Sequence, residues 1–378
     1  MGIQMALNIR ALEATDTLPF VKSQWLFYKN DPHWVPPLIM DRQKLLNQTK
    51  NPLYKHTQIQ LFLAEQDGRV VGRIAAIKNG NHLATHNDSV GFFGFFECIN
   101  DQQVANALFN AAETWLREHG VAYSRGPVNP SLNDEAGLLV DGFDGPPIVL
   151  MTYNPPYYAN LIEGAGYQKA KDLYAYWLDP DKYRSPKMER LIDAIKERNG
   201  ITFRSVDFKN KVQFTKDVEL IKQMYNTAWQ PNWGFVKMTD DEFAFLAADL
   251  KQIADARFVF FVEVKGEPAG FILGLPDINQ ALIHNKRGGI VGGIWNLLTR
   301  KKQINQLRII VMGVLPQFQR TGADTALYHE IGRRGFSWKL KGAEASWILE
   351  DNEMMNKGLS HTMQAELYRT YRLYQKTL

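Results

Sequence analysis

The 378-residue chain has a single cysteine, Cys98, so it can hold neither an internal disulfide nor a cysteine-rich zinc site. A core thiol is the plain reading of Cys98, because no histidine is patterned beside it. Long hydrophobic runs are missing too. No stretch approaches the ~20 apolar residues of a membrane span, and the N-terminus lacks the basic-then-apolar pattern of a signal peptide. These absences point to a soluble cytoplasmic protein without stable membrane insertion. Charge of one sign is scarce: a formal net charge of +4 with no long basic run leaves no footprint that demands nucleic acid. The eight histidines are scattered without metal-ligand spacing, and no Gly-x-Ser-x-Gly occurs, so neither a metal centre nor a serine hydrolase has support. What is abundant is core material, 45% hydrophobic and 12% aromatic residues, which excludes a disordered chain. The length suggests roughly two to three domains.

The first half reads as mixed α/β. Met5 to Leu12 suggests a strand and Pro19 to Tyr28 a helix. Ile59–Glu65 and Val70–Ile77 form two strands across Asp67-Gly68, a strong hairpin signal. Val90–Phe96 is a third strand. Asp101 caps a helix to Glu118 whose buried stripe contains Val104, Leu108, Ala112 and Leu116, and Gly120 ends it. The stretch from Val128 to Pro147, with Asn129, Asn133, Asp134 and Glu135, is long for a simple connection; a functional loop and a surface loop built on Asx turns fit it equally. Tyr153–Gly166 reads as a short helix and Tyr167–Leu178 as a strand.

Pro180–Asn199 is charged and helical and bridges the halves. Then come a strand at Ile201–Phe208, helices at Phe214–Trp229 and Thr239–Ile253, and a hairpin over Lys265-Gly266-Glu267. Thr239 with Glu242 forms a capping box. Pro276–Gln306 carries Gly288, Gly289, Gly292 and Gly293 among Ile290, Val291, Ile294 and Trp295. It is either a lid or lipid-contacting segment or an irregular insertion packed on its own domain. Ile309, Ile310 and Val311 mark a buried strand that Pro316 ends. A polar turn, Gln317–Gly322, leads into a helix with Ala323, Leu327 and Ile331 at one-turn spacing. Strand, glycine turn and helix start aim free N–H groups and the helix dipole at one spot, which suits phosphate. Glu344–Leu349, Glu353–Met363 and Leu367–Tyr374 read as strand, helix and strand. The two halves share this order, which suggests two copies of one α/β unit.

With Val314-Leu315-Pro316 and Gln319-Arg320-Thr321-Gly322 set between strand and helix, the sequence resembles the GNAT superfamily of acyl-CoA-dependent N-acyltransferases. The family signature is Arg/Gln-x-x-Gly-x-Gly/Ala; Gln319 and Gly322 match it, and Asp324 stands where Gly or Ala is usual. The resemblance covers about Ile201 to Leu378. It implies two GNAT-like domains, each a mostly antiparallel twisted sheet flanked by helices: residues 5–180 a degenerate copy, 181–200 a bridging helix, and 201–378 the cofactor-competent copy. In the first copy Cys98-Ile99-Asn100-Asp101 occupies the place of the phosphate turn.

The resemblance implies acetyl-CoA or another acyl-CoA as co-substrate, and direct attack by an amine on a small molecule or peptide. The Val314 N–H would polarise the thioester, Gln319, Arg320, Thr321, Gly322 and Ala323 would hold the pyrophosphate, and Asn352 would meet the pantetheine arm. Glu350 and Asp351 are the first candidates for the base, with Glu263 second. The position of the family's tyrosine acid falls near Leu359, and Met363 stands about where the family has a glycine after the last helix. Tyr371, Tyr374 or His361 could replace the tyrosine, although both tyrosines serve equally as packed aromatics. Asn133, Asp134, Glu135 and Tyr153 are candidates for holding the substrate. Two other readings stand beside this one. A tRNA-dependent aminoacyl transferase of tandem fold should show a basic face, which the mild charge does not supply. A non-catalytic ligand-binding or interaction protein fits Asp324 and the missing tyrosine.

Overall fold

The computed structural model describes residues 7–183 and 186–378. Met5 and Ala6 of the expected first strand, and Arg184 and Ser185 of the expected bridge, lie outside the described residues. The chain divides into two compact units that are not contiguous in sequence. Of the described residues, one contains those up to Leu173 together with Ala281–Thr299 and Arg369–Leu378; the other contains those of Tyr174–Gln280 and Arg300–Tyr368. Contiguous halves, 5–180 and 201–378, were expected. The chain's last strand, Glu366–Thr377, instead gives most of its length to the first unit.

In the first unit, strands Leu7–Ala11, Thr57–Gln66, Arg69–Asn79 and Val90–Cys98 pair antiparallel in sequence order. Asp67 and Gly68 both take positive φ, +51° and +72°, as the Asp-Gly hairpin requires. Tyr123–Gly126 then joins Val90–Cys98 in parallel and pairs on its other side with the end of the last strand. The parallel pair needs a crossover, and the helix Gln102–Glu118 supplies it. Its stripe of Val104, Leu108, Ala112 and Leu116 is fully buried with Phe93, Phe109 and Tyr167. The 128–147 stretch contains short strands, Val128–Asn129, Glu135–Ala136 and Leu138–Asp141.

The second unit repeats the plan. Ile201–Ser205, Val259–Val264, Glu267–Pro276 and Gln306–Val314 pair antiparallel, and Gly342–Leu349 joins in parallel. The crossover here is the helix Ala323–Ser337, which buries Ala323, Ala326, Leu327 and Ile331 against Leu307 and Ile309. The capping box of Thr239 and Glu242 starts the helix Asp240–Ile253 as expected. The helix expected over Glu353–Met363 is a five-residue helix, Glu353–Lys357, continued by a wider turn over Gly358–Thr362.

The Gly-rich segment is not irregular: Ile290–Arg300 is helical. Glycine is a poor helix former, but here it permits close packing. A Cβ on Gly293 would lie 2.7 Å from the Leu38 side chain, and one on Gly292 would lie 2.6 Å from Asn285 Oδ1.

Candidate active site

Strands Gln306–Val314 and Gly342–Leu349 run in register only from Gln306↔Gly342 to Ile309↔Ala345. On the other side, the pairing with Glu267–Pro276 jumps from Gly274↔Ile309 to Leu273↔Val311, leaving Ile310 as an extra residue. A bulge bends its strand and increases the local twist. It falls one residue past the last parallel pair, which accounts for the parting of the two strands at that point. Ile310–Val314 and Ser346–Leu349 therefore face an open wedge.

The backbone at the end of this wedge is oriented by the ladder. Leu315 N–H donates to Ala269 O at 2.8 Å, beside the register pair Gly270↔Val314. In an antiparallel ladder, residues flanking a hydrogen-bonded pair point their own N–H and C=O outward. The N–H of Val314 thus faces the open edge.

The chain then turns over Pro316–Phe318. Thr321 closes the turn, its N–H and hydroxyl donating to Phe318 O at 3.1 and 2.7 Å. Asn199 Nδ2 holds it from outside, donating to Thr321 O at 3.0 Å. Gly322 follows with φ +80°, a conformation that L side chains rarely adopt. It is the N-cap of Ala323–Ser337, and no side chain caps this helix. The first-turn N–H groups therefore remain for a ligand. Asp324 does not serve as a cap; its Oδ1 accepts a 3.4 Å hydrogen bond from the Thr325 hydroxyl. Gln319 and Arg320 are exposed on the same turn.

The first unit has the same parts, and they are blocked. Its helix starts at Asp101, whose carboxylate accepts from the N–H groups of Gln103 at 2.8 Å and Val104 at 3.4 Å. Its parallel pair likewise stops early, at Phe92↔Arg125. There, however, the chain folds back. Phe95 N–H donates to Asn129 Oδ1 at 2.6 Å, and a Cβ on Gly94 would lie 1.8 Å from Val128 O. Only glycine allows this approach. One helix start is capped by a carboxylate and its wedge is filled by the chain; the other is uncapped and its wedge is open.

At the root of the open wedge lies a buried polar cluster that sequence reasoning missed. Arg308, paired in register with Glu344, is 1% exposed and Glu344 is 0% exposed. Arg308 Nε donates to Ser346 Oγ at 3.0 Å, Ser346 donates to Glu344 Oε1 at 2.5 Å, and the Tyr368 phenol donates to Glu344 Oε2. Trp347 lies beside it, 5.2 Å from the Arg308 guanidinium, with a buried Nε1–H that has no acceptor. The signal was available as an Arg and a Glu inside otherwise apolar strands.

The chain is 37% identical to Protein YghO of Escherichia coli K12 over 97% of its length and 94% of that protein's. It is also 37% identical to the protein named bacterial ceramide synthase of Caulobacter vibrioides, over 92% of the chain and 91% of that protein. The chain belongs to the family of these two proteins. No protein-family profile matches it. Among solved structures, a tandem GNAT protein from the clavulanic acid biosynthesis pathway superposes with a TM-score of 0.57 at 13% identity, covering 98% of both chains. A GCN5-related N-acetyltransferase from Sphaerobacter thermophilus superposes with a TM-score of 0.53 at 12% identity, over 98% of this chain and 95% of that one. The chain thus has the tandem GNAT fold.

The other expected site residues divide by place. Asn352 is the N-cap of Glu353–Lys357, its Oδ1 accepting from Met355 N–H at 3.2 Å. Glu350 is half-buried at the end of the wedge strand, and Asp351 is exposed. The second unit holds both. Tyr371 is fully buried in the first unit, in register with Leu139, and Tyr374 is fully buried there with its hydroxyl 3.1 Å from Glu163. Asn133, Asp134, Glu135 and Tyr153 all fall in the first unit. There Ser131 donates to Asp134 Oδ2 at 2.5 Å, Arg42 pairs with Glu135 at 2.7 Å, and the Tyr153 hydroxyl donates to Asp31 at 2.9 Å. That hydrogen bond and burial, burial foremost, raise the Tyr153 pKa. Among the described residues no cluster of His, Cys, Asp or Glu could hold a metal ion.

Proposed function

We propose that this protein is an N-acyltransferase that moves an acyl group from acyl-CoA to the amine of a long-chain amino alcohol. The observation that carries the proposal is the open wedge beside an uncapped helix start. An extended pantetheine arm would run from the turn into the mouth of the wedge and meet the bent strand at Val314. The pyrophosphate would take the N–H groups of the turn Gln319–Ala323, with Arg320 supplying charge. The thioester carbonyl would then lie at the Val314 N–H, which would stabilise the oxyanion. The amine nitrogen attacks the carbonyl carbon, the C–S bond breaks, and CoA leaves as the thiol after taking a proton. Glu350 would take the amine's proton, directly or through water, with Asp351 as its neighbour. Asn352 would steady the pantetheine arm. The leaving thiolate would take up the proton that the amine gives away, relayed by Glu350 or water. The name of the Caulobacter relative supports the acceptor class, since a ceramide is the amide of a fatty acid with a long-chain amino alcohol.

Calorimetric titration with acetyl-CoA and longer acyl-CoAs tests the donor. Micromolar binding that weakens in Gly322→Trp supports the proposal, and no binding to any acyl-CoA defeats it. Binding without turnover on any amine would favour the reading as a non-catalytic binder, which the Asp324 carboxylate so near the pyrophosphate position also favours.

A further inference from the structure

The helix Ile290–Arg300 has 11 residues and belongs to neither wedge. One face of it is fixed to the first unit. Trp25 Nε1 donates to Lys286 O at 2.8 Å, Ile39 N–H donates to Gly288 O at 2.9 Å, and Asn285 Nδ2 donates to Gly289 O at 2.9 Å. Gly292 and Gly293 pack on Asn285 and Leu38. The opposite face is apolar and bare: Val291 is 79% exposed, Ile294 51%, Trp295 68% and Leu298 73%. These positions recur at i, i+3, i+4 and i+7, a single stripe. The two elements that hold the helix add exposed Leu26 and Met40. Four such side chains kept in water at helical spacing call for an occupant.

Charge identifies the occupant. Exposed Lys286 and Arg287 precede the helix, Arg300 ends it, and exposed Lys301 and Lys302 follow. No acidic residue occurs between Asp277 and Asp324. An apolar stripe with a tryptophan, flanked at both ends by cations, is the pattern of a helix lying in the headgroup region of an anionic bilayer. The helix is about 16 Å long, and among the described residues no helix is long and apolar enough to cross a membrane. The geometry is that of a helix lying on the surface. A second copy of the chain fits less well: a face about 16 by 10 Å is far below the ~800 Å² per partner of a stable interface.

We infer that Ile290–Arg300 docks this protein on the surface of an anionic lipid bilayer, its Val291–Leu298 stripe in the acyl boundary and its flanking lysines and arginines on the headgroups. The inference does not depend on the acyl-transfer reading and extends it. Docking would give the enzyme access to a lipid amine that remains in the membrane.

Co-sedimentation of the full chain with vesicles tests this without any turnover. Vesicles of phosphatidylcholine mixed with phosphatidylglycerol should bind the protein, and phosphatidylcholine alone should bind it far more weakly. Trp295→Ser with Leu298→Ser should weaken partitioning by about 100-fold. Lys301→Glu with Lys302→Glu should weaken it at least about tenfold at low salt and little at high salt. All these side chains are exposed, and circular dichroism checks that each variant is folded. Unchanged binding of the Trp295/Leu298 variant, equal binding to both compositions, or no binding of the wild type would overturn the inference. A lipid-free dimer that the same variant dissociates would also overturn it, assigning the stripe to a second copy.

Discussion

Val314→Pro removes one atom pair that the mechanism requires and little else. The N–H of Val314 lies on the open side of a bent strand, because the neighbouring Leu315 N–H is the one that donates to Ala269 O at 2.8 Å. Proline at 314 therefore breaks no ladder hydrogen bond, much as at a sheet edge, and the preceding Gly313 is in a strand, where a residue before proline is tolerated. The side chain is 8% exposed in the core of the second unit, so the lost methyl contacts cost about 1 kcal/mol. An oxyanion donor is worth far more: its removal lowers kcat by about 100- to 1000-fold. Acyl-CoA affinity should change little, because the pyrophosphate turn is untouched. The assay is release of free CoA thiol under saturating acyl-CoA, beside a titration that gives the Kd. A folded Val314→Pro protein with near-normal kcat would refute the assignment of the thioester to this N–H. Loss of binding rather than of kcat would mean that the arm, not the carbonyl, occupies this place.

The remaining predictions concern the contrast between the two copies and the buried charges. Gly322→Ala forces a Cβ to 2.8 Å from the Ile195 side chain at φ +80°; it should lower stability by about 1–2 kcal/mol and weaken acyl-CoA binding at least about tenfold, both seen in one calorimetric series. Asp101→Ala should cost about 1 kcal/mol of unfolding free energy with no change in acyl-CoA affinity, and a changed affinity would give the first copy a role in the binding. Arg73, 4% exposed, pairs with the buried Glu97 at 3.2 Å. Arg73→Met should cost about 3–5 kcal/mol in urea unfolding, because it strands the carboxylate; a loss below about 1 kcal/mol would contradict the pairing's role. Burial pushes His82 down to about 4, with Asp88 pulling the other way. The unfolded chain therefore takes up this proton first, and stability should fall as the pH drops from the ordinary histidine value of 6.5 towards about 4. The contribution is up to about 3 kcal/mol. His82→Gln should flatten that part of the profile, measured by thermal unfolding against pH.

Local chemistry made the frame legible. Asp67-Gly68, Thr239 with Glu242, Asp101, Pro316 and Gly322 each act within a few residues of themselves, and each does what its type suggests. The open wedge was not legible as a geometry, since it depends on a register jump at Ile310 that only the neighbouring strand reveals. Nor could the sequence show that Val128 and Asn129 fold back into the first wedge, because the approach depends on Gly94 meeting a residue 34 positions away. Arg308 and Glu344 read as oddities within apolar strands until register placed them opposite each other. The helix Ile290–Arg300 was hidden by its glycines, which oppose helix formation locally but allow the packing on Leu38 and Asn285 that stabilises it. For Tyr371 the sequence left a packed aromatic and an acid equally open, because a tyrosine's burial is not written in its neighbours; it is 0% exposed.

Incubation with acyl-CoA and a long-chain amino alcohol, followed by mass spectrometry of the lipid products and titration of the released thiol, tests the central claim most directly. The account predicts one amide formed per CoA thiol released, with product formation greatly reduced in Val314→Pro. Thiol release without an amide, or an amide formed equally well by Val314→Pro, would contradict it.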